Sequence, residues 1–221
     1  ESIIAALRAS YQKGTTVAAA TSYFVNFLFS EYGLVVLQPD NAALKSQMAT
    51  VFEDDLLQQT ASGIVETSAN ALEKAGYKVQ ANPREINLFY LEGNQRERIE
   101  RKGEDWVLVN SRKTFSKAEI LTELKEHPER FSPNVILRGL YQEKILPNIA
   151  FIGGGGETAY WLQLKDLFTH YQIPFPVLVL RNSFLVVEKK WKERIARLGF
   201  TTEELFLSEQ EMTRIMLQYN K

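Results

Sequence analysis

The sequence contains no cysteine and only two histidines, His127 and His170, which stand far apart. Without thiols there is no disulfide framework and no cysteine nucleophile, and a reducing compartment suits such a chain. A zinc centre of the His/Cys type lacks its ligands, so no metal site is expected. A dominant sign of charge is also missing: 26 Lys and Arg face 27 Asp and Glu, for a net charge of −1. That leaves no broad basic field to recruit nucleic acid or acidic lipid. Long apolar runs are absent as well. The longest, around Tyr23 to Phe29, is far too short to span a bilayer, and the start does not resemble a signal peptide. The expectation is a cytoplasmic protein with no nucleic-acid and no membrane partner.

What is there is ordinary for a globular protein: 221 residues, 45% hydrophobic and 24% charged. That length supports one large core, or a core with one smaller appendage. The first residues (Ile3, Ile4, Leu7, Tyr11) and the last (Leu207, Met212, Ile215, Met216) both fall inside helical patterns. A piece of a longer chain is therefore expected.

Hydroxyls at Thr15 and Thr16 precede a helically spaced apolar run, Val17 to Phe29, which reads as a capped, buried helix. Gly33 closes it, and Leu34 to Leu37 read as a short strand covered on both faces. Asp40 is placed to cap one long helix running toward Lys74, with Leu44, Met48, Val51, Phe52, Leu56 and Leu57 on one stripe. The middle differs. Ile86 to Leu91, Gln95 to Arg101 and Trp106 to Val109 are joined by Glu92-Gly93-Asn94 and Gly103-Glu104-Asp105, which is hairpin chemistry. Ser116 and Glu119 form a capping-box pattern for a helix ending near His127-Pro128. Ile149 to Ile152 is a strand leading into Gly153-Gly154-Gly155-Gly156 and a helix from Glu157 to about Tyr171. A strand Val177 to Leu180 and an amphipathic helix Trp191 to Leu198 follow. Strands alternating with helices around an antiparallel meander predict an α/β fold.

Three segments carry chemistry. A glycine turn between strand and helix offers backbone N–H groups and a helix dipole to an anion, but the spacing is neither a dinucleotide fingerprint nor a P-loop. A tight turn without ligand fits equally well. Glu157 in the first helical turn can stabilise the helix end, receive an ammonium, or act as a base on an attacking amine. Arg138, Tyr141 and Gln142 can converge on an anion, since Arg presents a planar fork; the alternative is an ordinary core pairing. Arg181, Asn182 and Ser183 follow a strand's carboxyl end, where α/β proteins bind ligands, although Asn and Ser also serve plain turns. Tyr160, Trp161, Leu164 and Phe168 read as core, with Tyr160 also able to line a site. Arg96, Arg98, Arg101 and Lys102 alternate with Glu97, Glu100 and Glu104 and read as a mixed solvated face.

Together, Ser132-Pro-Asn-Val-Ile-Leu-Arg138-Gly-Leu-Tyr141-Gln142 with Leu146-Pro-Asn-Ile-Ala150, Gly153-Gly-Gly-Gly-Glu157-Thr-Ala-Tyr160-Trp-Leu-Gln-Leu164 and Pro176-Val-Leu-Val-Leu-Arg181-Asn182-Ser183 resemble the bacillithiol-forming cysteine-adding enzyme family. The segment Gly33 to Pro39 and the helix with Lys45 and Phe52 fit too, so the resemblance covers nearly the whole chain. Gly139 stands where the family often has proline, and Thr158 where it often has an aliphatic residue. The family's Gly-His-Gln nucleotide motif and its long coiled coil are not in these residues.

The resemblance implies a Rossmann-like parallel sheet with helices on both faces and an inserted antiparallel meander. It divides the chain into core (1–80), insertion (81–115), core (116–200) and the start of a C-terminal helical segment (201–221). It further implies a cytoplasmic ligase joining cysteine to glucosaminyl-malate through an amide bond, homodimeric at full length, with a nucleotide such as ATP or ADP suggested by the fold. Glu157 and Arg181 are the implied catalytic residues. Arg138, Tyr141, Gln142, Gly153, Gly154, Gly155, Gly156, Tyr160, Asn182 and Ser183 are the implied binding residues. The fragment alone is expected to be inactive. A non-catalytic nucleotide- or metabolite-binding module is the competing expectation.

Overall fold

The structure is a computed structural model that describes residues 2–219, with the backbone alone at Tyr219. The chain divides into two compact units, one ending at Leu180 and one beginning at Arg181. The helices of the first unit are α1 (Ile3–Ser10), α2 (Val17–Phe29), α3 (Ala42–Lys45), α4 (Ala49–Leu57), α5 (Thr60–Lys74), α6 (Lys117–Glu126), α7 (Val135–Ile145) and α8 (Gly155–His170). Its strands are β1 (Leu88–Glu92), β2 (Gln95–Lys102), β3 (Asp105–Leu108), β4 (Thr114–Phe115), β5 (Phe131–Pro133), β6 (Ala150–Gly153) and β7 (Val177–Leu180).

The strands β4-β3-β2-β1-β5 form a five-stranded sheet whose pairings are all antiparallel, and β6 pairs with β7 in parallel. The hairpin chemistry works as read: Gly93 and Gly103 adopt left-handed φ of 58° and 66° at the two turns, conformations that a side chain resists. Period-two alternation then sorts the sheet's faces. Leu88, Tyr90, Ile99, Trp106, Leu108 and Phe131 are buried against Met48, Phe52 and Leu56 of the α3–α4 region, Ile120 and Leu124 of α6, and Leu137 and Leu140 of α7. The Trp106 indole donates to the Leu56 carbonyl at 2.9 Å, so the ring is buried without an orphaned N–H. On the second layer Trp161 of α8 stacks on Phe151 at 4.1 Å and packs with Phe168 and Phe175.

Local capping explains several boundaries. Thr16 accepts from the Ala19 amide at the start of α2, and Ser116 and Glu119 close a reciprocal capping box on α6. Strand β7 runs from Val177 to Leu180, as the sequence predicts.

Four expectations are corrected. The long helix toward Lys74 is broken: Asn41, rather than Asp40, caps α3, and α4 and α5 are separated at Gln59, which takes a left-handed φ of 59°. Asp40 instead holds the Lys45 ammonium. Residues 34–37 have no regular secondary structure and join no ladder, and among the described residues parallel pairing is confined to β6 and β7. Helix α2 buries only Ala20, because it packs on α1 and its apolar residues run around the whole helix. Helix α8 begins at Gly155, two residues before Glu157.

In the second unit, residues 181–188 have no regular secondary structure and precede α9 (Lys189–Arg197), and α10 (Glu209–Tyr219) follows. Lys190 and Arg194 lie over the Trp191 ring, and Ser208 exchanges backbone and side-chain hydrogen bonds with Glu211 at the start of α10. No helix of the described residues is long and apolar enough to cross a membrane.

Candidate functional site

A hollow of about 500 Å³ lies where the outer face of the sheet meets α7 and α8. Helical geometry supplies one wall. Arg138 and Gln142 are four residues apart on α7 and so project from the same side, and both line the hollow. Asn134 fixes where that helix starts. Its Oδ1 accepts from the Ile136 amide, its amide group donates to Asn87 Oδ1 at 2.9 Å, and its backbone N–H donates to the Asn87 carbonyl. Asn87 in turn donates to Asp55 from its backbone at 2.6 Å and from its side chain at 3.1 Å. A buried polar chain therefore ties α4 to the first turn of α7. Burial pushes the Asp55 carboxyl up to about 7, against the hydrogen bonds from Asn87.

Glu157, Tyr160, Trp161 and Phe151 supply the opposite wall. Gly139 on α7 lets the two walls approach: a Cβ there would sit 3.3 Å from the Trp161 ring. Glu157 Oε2 accepts from the Gly154 amide at 2.9 Å, closing the helix start, while among the described residues no hydrogen bond or ion pair engages its Oε1. The carboxylate is exposed and faces the hollow.

The sheet supplies the floor, and here the structure adds to the sequence reading. Arg96 is exposed, as a solvated face implies, and it also borders the hollow. Glu97, its neighbour, turns to the other side of β2, is 6% exposed, and accepts from the Asn110 and Ser111 amides. Those amides, Ser111 first, hold the Glu97 carboxylate below the usual range. Arg96 is left on the hollow side. Its guanidinium lies 3.7 Å from the centre of the Phe89 ring and donates to Ser132 Oγ at 3.2 Å and to the Pro133 carbonyl at 3.3 Å. Partial burial, and then the positive charge of Arg138, lower its pKa, with Asp40 acting the other way.

A second hollow of about 370 Å³ adjoins the first and shares Arg96, Pro133 and Arg138 with it. Tyr141 belongs to this second space. It is 4% exposed, its hydroxyl donates to the Pro39 carbonyl at 2.8 Å, and burial followed by the Asp40 charge raises its pKa. Lys45 is 1% exposed and donates to Asp40 Oδ1 and the Glu129 carbonyl, both at 2.7 Å. Burial lowers its pKa despite Asp40.

The structure thus brings Arg138, Gln142, Glu157 and Tyr160 around one space and Tyr141 into the adjoining one. The glycine turn does something plainer. None of Gly153, Gly154, Gly155 and Gly156 has a positive φ, none lines either hollow, and the Gly154 amide is already occupied by Glu157. A phosphate placed on this turn would meet the Glu157 carboxylate, so the turn does not fit a nucleotide phosphate. Arg181, Asn182 and Ser183 are exposed and open the second unit, while both hollows are built from the first. Arg96, Phe89, Asn134 and Phe151 were missed from sequence. The signal for Arg96 lay in strand alternation, which separates it from Glu97.

Residues 1–182 match a family model described as bacillithiol biosynthesis BshC, N-terminal Rossmann-like domain. Among similar proteins, one from Cytophaga hutchinsonii named "Putative cysteine ligase BshC" is 43% identical over 211 residues, covering 96% of this chain and 40% of the relative. A protein of the same name from Flavobacterium psychrophilum is 47% identical over 201 residues, covering 91% and 38%. One from Salinibacter ruber is 35% identical over 200 residues, covering 90% and 37%. The chain thus spans about two fifths of the length of these relatives. With its first 182 residues matched and relatives of over 40% identity along nearly its whole length, the chain belongs to the BshC family of bacillithiol biosynthesis.

Proposed function

We propose that this chain provides the substrate pocket of a ligase that joins cysteine to glucosaminyl-malate by an amide bond. The observation that carries the reading is the meeting of Arg138 and Glu157, opposite in charge and on different helices, across one hollow in a chain of this family. The two side chains form no ion pair with one another. Each is available to a ligand.

Amide formation needs a carboxyl carbon held for attack and an amine nitrogen that loses its protons as the C–N bond forms. Arg138 suits a substrate carboxylate, through two parallel N–H···O bonds. The open Oε1 of Glu157 suits an ammonium, and can take a proton from it as the amine attacks. Tyr160 and Trp161 give the pocket an apolar wall that limits water. The carboxyl oxygen must leave with an activating group, and a nucleotide is suggested only by the kinship of the fold. The glycine turn does not favour its phosphates, so no step is assigned to it.

The test is product formation from cysteine and glucosaminyl-malate, followed by mass spectrometry, in a protein of the relatives' full length that contains this chain. Product is expected there and not from the 221-residue chain alone. Arg138→Ala and Glu157→Gln are each expected to lower kcat/KM by roughly 10²-fold or more. A full-length protein that binds both substrates and releases no product would make the chain part of a binding module and end the ligase reading.

A further inference from the structure

Charge around the two hollows does not balance, and the surplus sits at their shared wall. Three cations line them: Lys45, Arg96 and Arg138. Lys45 is taken by Asp40 at 2.7 Å. Glu157 is held by the Gly154 amide, and Glu97 has turned to the far side of its strand. Among the described residues the two guanidiniums have no carboxylate partner, and each borders both spaces.

Both side chains are exposed, and Arg96 is the more firmly mounted of the two. Arg96 is stacked on Phe89 and pinned through Nε and Nη2 to Ser132 and Pro133, which leaves Nη1 without a protein partner. Arg138 stands on the first turn of α7, a helix whose start is locked by Asn134, and its guanidinium makes no hydrogen bond among the described residues. Two like charges that border the same spaces repel, and a ligand carrying two negative charges relieves that repulsion while satisfying both forks.

We propose that Arg96 and Arg138 form a two-point clamp for a ligand bearing two carboxylates joined by a short carbon chain. Because the guanidiniums come from two different elements, a strand and a helix, a ligand with two carboxylates can give each fork its own partner. The adjoining hollows, about 500 and 370 Å³, leave room for the connecting carbons and for whatever the dicarboxylate is attached to. The proposal rests on the ligase reading, in which one substrate ends in a malyl group, and names the residues that hold that end.

The experiment is calorimetric titration of the 221-residue chain with L-malate, with lactate as the single-carboxylate control and with inorganic phosphate. L-malate is expected to bind at least about tenfold more tightly than lactate or phosphate. Arg96→Ala and Arg138→Ala should each weaken L-malate by roughly 10- to 100-fold, as loss of a charge-assisted pair does. Arg96→Lys should recover little, because an ammonium cannot present the fork. Arg98→Ala, on the same strand and lining neither hollow, should bind like the parent. Circular dichroism of each variant separates lost binding from lost folding.

Equal binding of lactate and L-malate, tighter binding of phosphate, no binding of L-malate, or full L-malate affinity in either alanine variant would overturn the clamp. In the full-length protein, product formation with an unchanged KM for the malyl substrate in Arg96→Ala would sink the clamp alone. L-malate binding with the expected losses but no product would instead sink the ligase reading.

Discussion

Asp55→Asn tests the buried polar chain that sets α7, and its effect should change size with pH. Asp55 is fully buried, and its two oxygens accept from the backbone and side-chain N–H groups of Asn87. Asparagine has one acceptor oxygen, so one Asn87 N–H would face an NH₂ group. A buried donor left unsatisfied costs about 1–3 kcal/mol. The wild-type carboxyl carries its own liability. Its folded pKa of about 7 lies above the ordinary value near 4. Between those values the folded chain holds more protons than the unfolded one, so stability is greatest at the acid end and falls as pH rises toward 7. The full loss is about 4 kcal/mol at roughly 1.4 kcal/mol per pH unit, of which about 3 falls between pH 5 and pH 8. The variant has no such loss. Urea unfolding followed by tryptophan fluorescence should therefore show Asp55→Asn less stable than wild type at pH 5, with the deficit closing or reversing by pH 8. Carboxylates stabilised by hydrogen bonds, such as Glu119 and Glu123, are common to both proteins and cancel in the difference. A deficit equal at both pH values would show that Asp55 does not titrate in this window and refute the reasoning.

Other perturbations probe separate parts of the structure. Gly153→Ala would place a Cβ 2.6 Å from the Phe151 ring, which is stacked on Trp161; overpacking of this kind should lower stability by about 1–3 kcal/mol in chemical denaturation and disturb the Trp161 fluorescence. Trp106→Phe removes the donor to the Leu56 carbonyl and should destabilise by about 1–3 kcal/mol, read from the urea midpoint at unchanged slope. Glu157→Gln should leave the melting temperature nearly unchanged while the full-length protein loses turnover, because a glutamine oxygen can still accept from the Gly154 amide but takes up no proton.

Elements whose cause is local were legible in the sequence. Ser116 and Glu119 announce the start of α6, Gly93 and Gly103 announce the turns of the meander, and Val177 to Leu180 is a strand bounded by Pro176. Elements set by distant partners were not. Nothing in Gln58-Gln59 marks a helix break, yet Asp54 beside it receives the Tyr171 hydroxyl from the far end of α8 and the Thr60 hydroxyl from the start of α5. Segment 34–37 has the composition of a covered strand, but composition does not supply a neighbour. Helix α2 shows the same limit, since helical spacing of apolar residues says that a helix forms and not how much of it is buried.

The site divides along the same line. Arg138, Gln142, Glu157 and Tyr160 were recoverable because two helices carry them in blocks of recognisable sequence, and helical spacing places such residues on defined faces. Arg96 was hidden by its neighbours. Charges of both signs mix through Arg96 to Arg101, three positive against two negative, so in composition they largely offset one another. In the sheet they do not, because alternation sends Glu97 to the Asn110 and Ser111 amides and leaves Arg96 beside Phe89 and Ser132. The pairing of Leu91 with Arg96 and of Phe89 with Ser132 and Arg98 then delivers that arginine to the wall that Arg138 reaches from the helix. Two cations far apart in sequence become neighbours through strand register, and charge counting along a chain cannot see register. The positive charge in this otherwise balanced protein is therefore a property of the fold, concentrated where an anionic ligand would need it.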